Sequence, residues 1–399
     1  MNQEKNNLVV LHVAPIQYII DRQLYQGGTE RVVHYLHREL IKLVTESIVT
    51  CCDGSQMVNA IYLAKPISEI CGDSPATYQT HKQEYENYFE KVLDYTKEHK
   101  VSILHDHTGW LVLSDTYKRR KEKLSFPILT TLAPCYPYEK NAEIYGHHWK
   151  DGGLYFCVVS HSQKDSFLPH LRVDNVIYNG IDVSEVPYVS MEEKKGYLFN
   201  LGRIAWWKGQ EIAIRVAKKS DNRVVIGGSI SENEYFNYLI NSQGLKNSIC
   251  RGNTKYSSHV AEFLAENYFQ AIYIGKLNDT EKYKWYKYAL CFIMPILWDE
   301  PFGLVMIEAM ACGTPVIAFN RGSVGEIIQD GKTGFIVETE DEMIEALREM
   351  NTIDSANCRR WVEDKFSSNK MARDYLDLYL RIIAQHYYKA KREQKQAAA

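Results

Sequence analysis

Short apolar runs alternate with longer amphipathic segments along most of the chain. Leu8–Ala14 is a continuous apolar run of strand length, and Glu30–Val44 carries apolar residues at helical spacing. Further strand-like runs of the first half are Ser102–Leu104, Ile128–Leu132 and Phe156–Ser160. A helix-like segment covers Tyr85–His99. Continuous apolar strands separated by helices are typical of a parallel sheet covered on both faces.

The same rhythm starts again in the second half of the chain. Its strand-like runs are Gly196–Gly202, Arg223–Gly228, Ala271–Gly275, Leu290–Pro295 and Thr314–Phe319. Between the two series, Asn179–Asp182 is a strong turn signal, and residues 183–195 show no clear periodicity. The pattern predicts two Rossmann-like α/β domains, residues 1–182 and 196–375, with a linker at 183–195. A helix over Tyr375–Lys391 and a disordered tail are expected at the end, residues 376–399.

Length and composition agree with a soluble enzyme of two domains. A chain of 399 residues is long enough for two cores, and its net charge of −3 argues against a nucleic-acid binder. The nine cysteines are scattered without a Cys-x-x-Cys pair, so neither a disulfide framework nor a zinc site is indicated. Met1–Asn7 lacks the layout of a signal peptide, and no apolar run reaches the length of a membrane span. We therefore expect a cytoplasmic protein.

The segment Trp298–Gly313 contains the most informative chemistry. Glu300 and Glu308 lie eight positions apart around a turn that opens a helix, and Gly303 lets a ligand approach the backbone there. The free N–H groups of Phe302, Gly303 and Leu304 form a donor cluster at the positive end of the helix dipole. The turn therefore predicts a site for hydroxyls or phosphates. The alternative is an ordinary helix–strand unit whose glutamates face water.

Two other turns predict anion binding. Gly27 and Gly28 lie between the first strand and the first helix, where a doubly wound sheet usually receives an anionic ligand. Arg203 and Lys208 follow the first strand of the second half, so both cations are expected at the carboxyl edge of that sheet. An Arg fork and a Lys point charge would neutralise a leaving pyrophosphate without a metal ion. A plain strand-to-helix turn and solvated surface cations are the respective alternatives.

The motif His105-Asp106-His107 follows an apolar strand and is expected in a loop at the carboxyl edge of the first sheet. Its imidazoles would orient a substrate hydroxyl, or they would simply satisfy local backbone groups. A transition-metal site is a weaker alternative, because the sequence gives no third ligand. No metal and no cofactor are predicted.

The Trp298–Gly313 segment resembles the Glu-x7-Glu signature of family 4 of the retaining GT-B glycosyltransferases. The similarity continues through Ala309–Ile317, Arg321–Ile328 and Asp330–Phe335. It implies a GT-B fold, with two Rossmann-like domains facing a central cleft and a last helix that crosses back to the first domain. It also implies that Glu308 binds the ribose of a sugar nucleotide, and that Glu300 and the backbone of 302–304 hold the donor sugar.

The resemblance assigns roles to the other motifs as well. Gly27 and Gly28 would contact the donor phosphates, Arg203 and Lys208 would bind the diphosphate, and the loop with Lys276 and Leu277 would meet the nucleobase through its backbone. Backbone contacts do not reveal the base, although uridine is the commonest among similar proteins. His107 belongs to a His-x-His arrangement that similar proteins share. The chain has no Asp-x-Asp motif of the kind that carries a divalent cation in glycosyltransferases of the other major fold.

One position departs from the family pattern. Similar proteins carry a histidine after the strand Ile128–Leu132, where this chain has Ala133. Either another residue substitutes, or the donor pocket is remodelled, or catalysis is lost. The candidate substitutes are His107, Tyr136, Tyr138, His147 and His148.

The sequence thus predicts a retaining, metal-independent transferase that moves a sugar from a nucleoside-diphosphate donor to a hydroxyl acceptor. The acceptor would be a carbohydrate, a lipid-linked molecule or a small molecule, with no nucleic acid. The basic run Lys118–Lys123 allows at most peripheral membrane contact and is otherwise a solvated helix face. The alternatives are a GT-B epimerase or phosphorylase, and a non-catalytic subunit that binds nucleotide sugars.

Overall fold

The computed structural model describes residues 6–21, 27–72, 78–132, 153–167, 171, 173, 175–247, 260, 263–264 and 269–397. The chain divides into two compact units. The first combines Met1–Gly180 with Ser368–Ala399, and the second is Ile181–Ser367.

The first unit is built on a sheet of seven strands in the order β3-β2-β1-β4-β5-β6-β7. These strands are β1 (Asn6–Val13), β2 (Val44–Cys52), β3 (Ala60–Ala64), β4 (Ile103–Asp106), β5 (Ile128–Thr131), β6 (Leu154–Val158) and β7 (Asn175–Val176). All neighbours pair in parallel, and Val13 lies opposite Asp106 at the carboxyl ends of β1 and β4. Polar residues that follow β1 and β4 therefore meet at one edge.

The second unit repeats this architecture with seven parallel strands in the order β10-β11-β9-β8-β12-β13-β14. They are β8 (Tyr197–Leu201), β9 (Arg223–Gly227), β10 (Lys246–Asn247), β11 (Ala271–Tyr273), β12 (Cys291–Met294), β13 (Val316–Phe319) and β14 (Gly334–Val337). The central β8 pairs with both β9 and β12. Turns that follow β8 and β12 consequently lie side by side.

Helices connect the strands, as parallel pairing requires. Those in the described residues are α1 (Gly28–Leu40), α2 (Ser68–Cys71), α3 (Lys82–Glu98), α4 (Asp115–Arg120), α5 (His161–Phe167), α6 (Gln210–Lys219), α7 (Asn233–Asn241), α8 (Asp279–Tyr288), α9 (Leu304–Ala311), α10 (Val324–Ile327), α11 (Glu340–Arg348), α12 (Ser355–Lys365) and α13 (Ser368–Ala397). No described helix is long and apolar enough to cross a membrane.

Each unit has its own apolar core. In the first, Leu11 and Leu104 from the sheet pack with Tyr88 and Phe89 of α3, all fully buried. In the second, strand residues such as Leu198 pack with apolar residues of α6, including Ile214 and Val216, and of α11. Strand residues buried on both faces explain why the strands are apolar runs and not alternating patterns.

The stretch expected as a linker, residues 183–195, is grouped with the second unit. The Arg359 guanidinium of α12 donates to the carbonyls of Val183 and Val186, each at 2.7 Å, and to that of Ala311 at 2.8 Å. Lys194 adds a bond of 2.7 Å to the Thr314 hydroxyl. Such side-chain hydrogen bonds do not affect the spacing of apolar residues, so the sequence pattern did not show that this segment packs on the second unit.

The final helix begins at Ser368, seven residues before the predicted start at Tyr375, and it is grouped with the first unit. Tyr379 donates to or accepts from His105 Nδ1 at 2.7 Å, and Tyr375 is 3.2 Å from the Thr131 hydroxyl. The predicted helix over Glu30–Val44 was wrong at its end. It stops at Leu40, and Val44 starts β2, whose pairing with β1 on one side and β3 on the other fixes its conformation more strongly than local spacing does.

Candidate functional site

The turns after β8 and β12 bring Lys208 and Glu300 into direct contact. Lys208 ends a short 3₁₀ turn, Trp206–Lys208, and its Nζ lies 2.7 Å from Glu300 Oε2. Trp298 donates its indole N–H to the same oxygen at 3.0 Å, and its ring lies 4.9 Å from the lysine Nζ. The two charged side chains are only 19% and 13% exposed. The result is a partly buried cation and anion held in fixed directions.

Glycines lie at both ends of the helix beside this pair. Gly303 has φ 79° and caps the N-terminus of α9, and Gly313, beyond the C-terminus, has φ 73°. Both conformations are left-handed and favour glycine. Ser323 fastens the turn by donating its backbone N–H to the Glu300 carbonyl and its hydroxyl to the Phe302 carbonyl, each at 2.9 Å.

The other predicted residues of the second unit are placed as follows. Arg203 follows β8 and is exposed, and within the described part of the chain its guanidinium has no hydrogen bond or ion pair. Its carbonyl accepts from Gln210 at 2.9 Å, which ties the turn to α6. Lys276 is exposed in the loop before α8, where partial desolvation lowers its pKa, and Leu277 is buried.

Glu308 lies in the second turn of α9 and is only 2% exposed. Its Oε1 accepts from Lys282 Nζ at 2.6 Å, and its Oε2 is 3.5 Å from the Tyr286 hydroxyl. Lys282 also lies 2.8 Å from Asp279 Oδ1. The alternative that the glutamates simply face water is therefore wrong for both Glu300 and Glu308.

In the first unit, Gly27 has φ 97° and caps α1, and Gly28 is the first residue of that helix. A Cβ on Gly27 would come within 2.6 Å of the Glu30 carboxylate, so the turn has room only for glycine. Burial raises the pKa of Glu30 to about 7, although the backbone N–H groups of Glu30 and Tyr18 favour its ionised form. A carboxyl group thus sits at the helix end where an anion was predicted.

His107 lies directly after β4 and is buried in a cluster of histidines. Its Nε2 is 3.0 Å from His12 Nδ1, and the His105 ring is centred 3.7 Å from its own. Burial lowers the pKa of His107 to about 3, and it lowers the pKa of His12 and His105 well below the usual value. All three imidazoles are therefore neutral at physiological pH.

The cluster supplies the third ligand that the sequence did not reveal for a metal site, because one nitrogen of each histidine falls within 4.8 Å of the others. His105, however, pairs both of its nitrogens with hydroxyls, those of Tyr379 and Thr131. Asp106 accepts three hydrogen bonds from Thr108 and Leu111 within its own turn. A cation would have to displace part of this network.

Sequence reasoning did not identify Lys282, Trp298 or His12. A local signal for the helix that carries Lys282 was present in the sequence. Asn278, four residues before Lys282, and Glu281 form the capping box that starts α8. Ala133 and the candidate substitutes Tyr136, Tyr138, His147 and His148 lie outside the described residues.

Comparison with known proteins agrees with this geometry. The model of the family described as Glycosyl transferases group 1 matches residues 254–365, which include Glu300 and Glu308. The match confirms that this segment resembles the group 1 glycosyltransferases. Glycogen synthase of Mycobacterium tuberculosis is 29% identical over 175 residues, 42% of this chain and 37% of the relative. The chain spans about half or less of the length of the curated relatives it matches.

Solved structures share the whole fold. Sucrose-phosphate synthase from Thermosynechococcus elongatus superposes with a TM-score of 0.68 at 16% identity, covering 95% of this chain and 100% of that one. HepE from Anabaena, in complex with UDP-glucose, gives a TM-score of 0.66 at 14% identity, covering 93% and 99%. The predicted α/β GT-B fold with two Rossmann-like domains is confirmed.

Proposed function

We propose that the chain is a retaining glycosyltransferase that moves a sugar from a nucleoside-diphosphate donor to a hydroxyl acceptor. The observation that carries this proposal is the Lys208–Glu300 pair at 2.7 Å beside the glycine cap of α9. A cation, a carboxylate and a helix N-terminus meet at one place, and a sugar diphosphate requires all three kinds of partner.

In this proposal, Arg203 and Lys208 neutralise the charge that grows on the leaving diphosphate, so that no metal ion is needed there. Glu300 and the N–H groups of residues 302–304 hold the hydroxyls of the donor sugar, and Glu308 holds the ribose. The acceptor hydroxyl attacks on the face from which the diphosphate departs, and a phosphate oxygen takes its proton. Lys208 would then exchange Glu300 for the diphosphate when the donor binds.

The donor class is also part of the proposal. UDP-sugars are the first choice, supported by the UDP-glucose complex of the similarly folded HepE. The acceptor would be a carbohydrate, a lipid-linked molecule or a small molecule.

A donor screen tests the proposal. The full chain is incubated with UDP-, ADP- and GDP-sugars, with and without an acceptor panel and with and without EDTA, and nucleoside-diphosphate release is followed. We expect release that depends on an acceptor, persists in EDTA and is lost in Glu300→Ala. Release without acceptor would favour an epimerase that eliminates the diphosphate, whereas a phosphorylase would release none and would form a sugar phosphate from a glycan and inorganic phosphate. Donor binding without turnover would favour a non-catalytic subunit.

A further inference from the structure

Lys282 is buried to an extent that is unusual for a lysine. It is 2% exposed, its Nζ lies 2.6 Å from Glu308 Oε1 and 2.8 Å from Asp279 Oδ1, and the ring of Tyr283 is centred 5.0 Å from it. The ammonium group has three protons, and two of them point at carboxylates. Its position is therefore fixed from several sides.

The start of α8 holds Lys282 in this place. Asn278 accepts the backbone N–H of Glu281 at 2.9 Å, and the Glu281 carboxylate accepts the backbone N–H of Asn278 at 2.9 Å. This capping box fixes the first turn of the helix, in which Asp279 and Lys282 lie three residues apart on one face. Glu308 comes from a different helix, α9, so the pair links two elements.

Stability alone is a weak explanation for this arrangement. Removing charges from water is costly, and apolar residues of similar size often stabilise a protein as well as a buried ion pair does. An ion pair can, however, fix the orientation of a carboxylate, which apolar packing does not do. With Oε1 held by Lys282, the carboxylate of Glu308 is fixed in one orientation, and among the residues that the structure describes Oε2 has only the distant Tyr286 hydroxyl, at 3.5 Å.

We propose that Lys282 is a positioning residue for the nucleotide site: it fixes Glu308 so that Oε2 accepts hydrogen bonds from the ribose hydroxyls of the donor. The inference rests on the proposed function, which places the ribose at Glu308. A carboxylate offers about four lone-pair positions, so one used by Lys282 leaves enough for two hydroxyls.

Ribose recognition gives a direct readout. The full chain is titrated calorimetrically with whichever of UDP, ADP or GDP it binds, and with the 2′-deoxy and 3′-deoxy forms of that nucleotide. A hydroxyl bonded to a fixed carboxylate contributes roughly 10- to 100-fold in affinity. We expect wild type to prefer the ribose form by this factor and Lys282→Met to reduce the preference to about 3-fold or less.

Lys194→Met is the matched control. Lys194 is a partly exposed side chain of the same unit whose Nζ donates to the Lys287 carbonyl and the Thr314 hydroxyl and not to Glu308. This variant should keep the ribose preference of wild type even if its stability falls. Lys282→Gln, which keeps a donor but loses the charge, replaces Lys282→Met if the latter does not fold, and should show an intermediate preference.

The outcomes separate the two proposals. A wild-type preference that survives unchanged in folded Lys282 variants overturns the positioning role and leaves the transferase proposal standing. Failure of wild type to bind any of the three diphosphates overturns both. A loss of preference in Lys194→Met equal to that in Lys282→Met shows a general effect of losing a lysine and also overturns the positioning role.

Discussion

The carboxyl edges of the two sheets handle buried polar groups in opposite ways. In the first unit, His12, His105 and His107 are neutral because burial disfavours their charged forms. In the second unit, Lys208 with Glu300 and Lys282 with Glu308 form ion pairs of 2.7 and 2.6 Å. One edge offers uncharged hydrogen-bonding groups, and the other offers fixed charges.

This difference between neutral and charged groups indicates which edge would stabilise a charged ligand. Fixed, partly desolvated charges act on a diphosphate more strongly than solvated ones, because the local dielectric is lower. Neutral imidazoles can still donate to or accept from hydroxyls. Under the proposed function, the donor would therefore bind at the second unit, and the predictions below test this contrast between the two edges, beginning with the largest effect.

Removing the cation of the charged edge should have the largest effect. Lys208→Met is expected to lower kcat by about 10²- to 10³-fold, because a preorganised charge that stabilises the leaving group is lost. Nucleoside-diphosphate release under saturating donor measures it. Lys218→Met, at an exposed lysine of α6, is the control and should leave the rate unchanged. Equal activity of the two variants would remove Lys208 from the mechanism.

The neutral edge should make the first unit sensitive to acid. The pKa of His107 is about 3 in the folded protein and near 6.5 in the unfolded chain. The stability that neutral His107 contributes is therefore complete above pH 6.5 and is lost as the pH falls towards 3. At pH 4.5 this loss amounts to about 3 kcal/mol, and His12 and His105 add to it in the same direction.

Denaturant unfolding of wild type and His107→Gln at several pH values measures the effect. The variant should lose less stability than wild type between pH 7 and pH 4.5. His99→Gln, at an exposed position, should follow wild type. Parallel curves for wild type and His107→Gln would show that His107 is not held neutral.

Glu30 at the glycine turn should respond to pH in its own way. Its folded pKa of about 7 exceeds the unfolded value near 4.5, so stability is lost as the pH rises from about 4.5 to 7. Glu30→Gln removes this loss and should stabilise the protein at pH 8 by up to about 3 kcal/mol, with little gain at pH 4.5. Denaturant unfolding of wild type and Glu30→Gln at pH 4.5 and pH 8 measures the free energy of unfolding. An equal gain at both pH values would contradict a raised pKa for Glu30.

The smallest effect is expected at the helix that carries Lys282. Asn278→Ala removes the side-chain cap of α8 and should cost about 1 kcal/mol of unfolding free energy. Glu232→Ala, at the N-cap of α7, is the comparison because its side chain makes no capping bond there. A cost at Asn278 no larger than that at Glu232 would argue against a role for the capping box.

Local sequence signals predicted the elements that local physics determines. The turn that opens a helix after Glu300 is present, with α9 beginning at Leu304, and Gly27 lies directly before α1, between the first strand and the first helix, as expected. The central strands were recognisable because both of their faces are buried. Strands β2 and β3 were missed, since Val44–Cys52 mixes charged and apolar residues and owes its strand conformation to pairing with β1.

The sequence predicted the motif residues of the candidate site, but not the contacts between residues that are far apart in the chain. The resemblance pointed to Glu300, Glu308 and Lys208, but it did not pair Lys208 with Glu300, and it did not point to Lys282. Lys208 lies 92 residues before Glu300, and His12 lies 95 residues before its partner His107. Such pairs depend on which strands become neighbours, and a single sequence does not reveal that.

The Arg359 guanidinium has a consequence for protein engineering. It grips the carbonyls of Val183 and Val186 together with that of Ala311, at the end of the helix that contains Glu308. A recombinant fragment or chimera cut at residue 196 would lose two of the four acceptors of this guanidinium and keep only Ala311 and Glu363. Cutting at Ile181 keeps them, so the second unit should be expressed or transferred with those fifteen or so preceding residues attached.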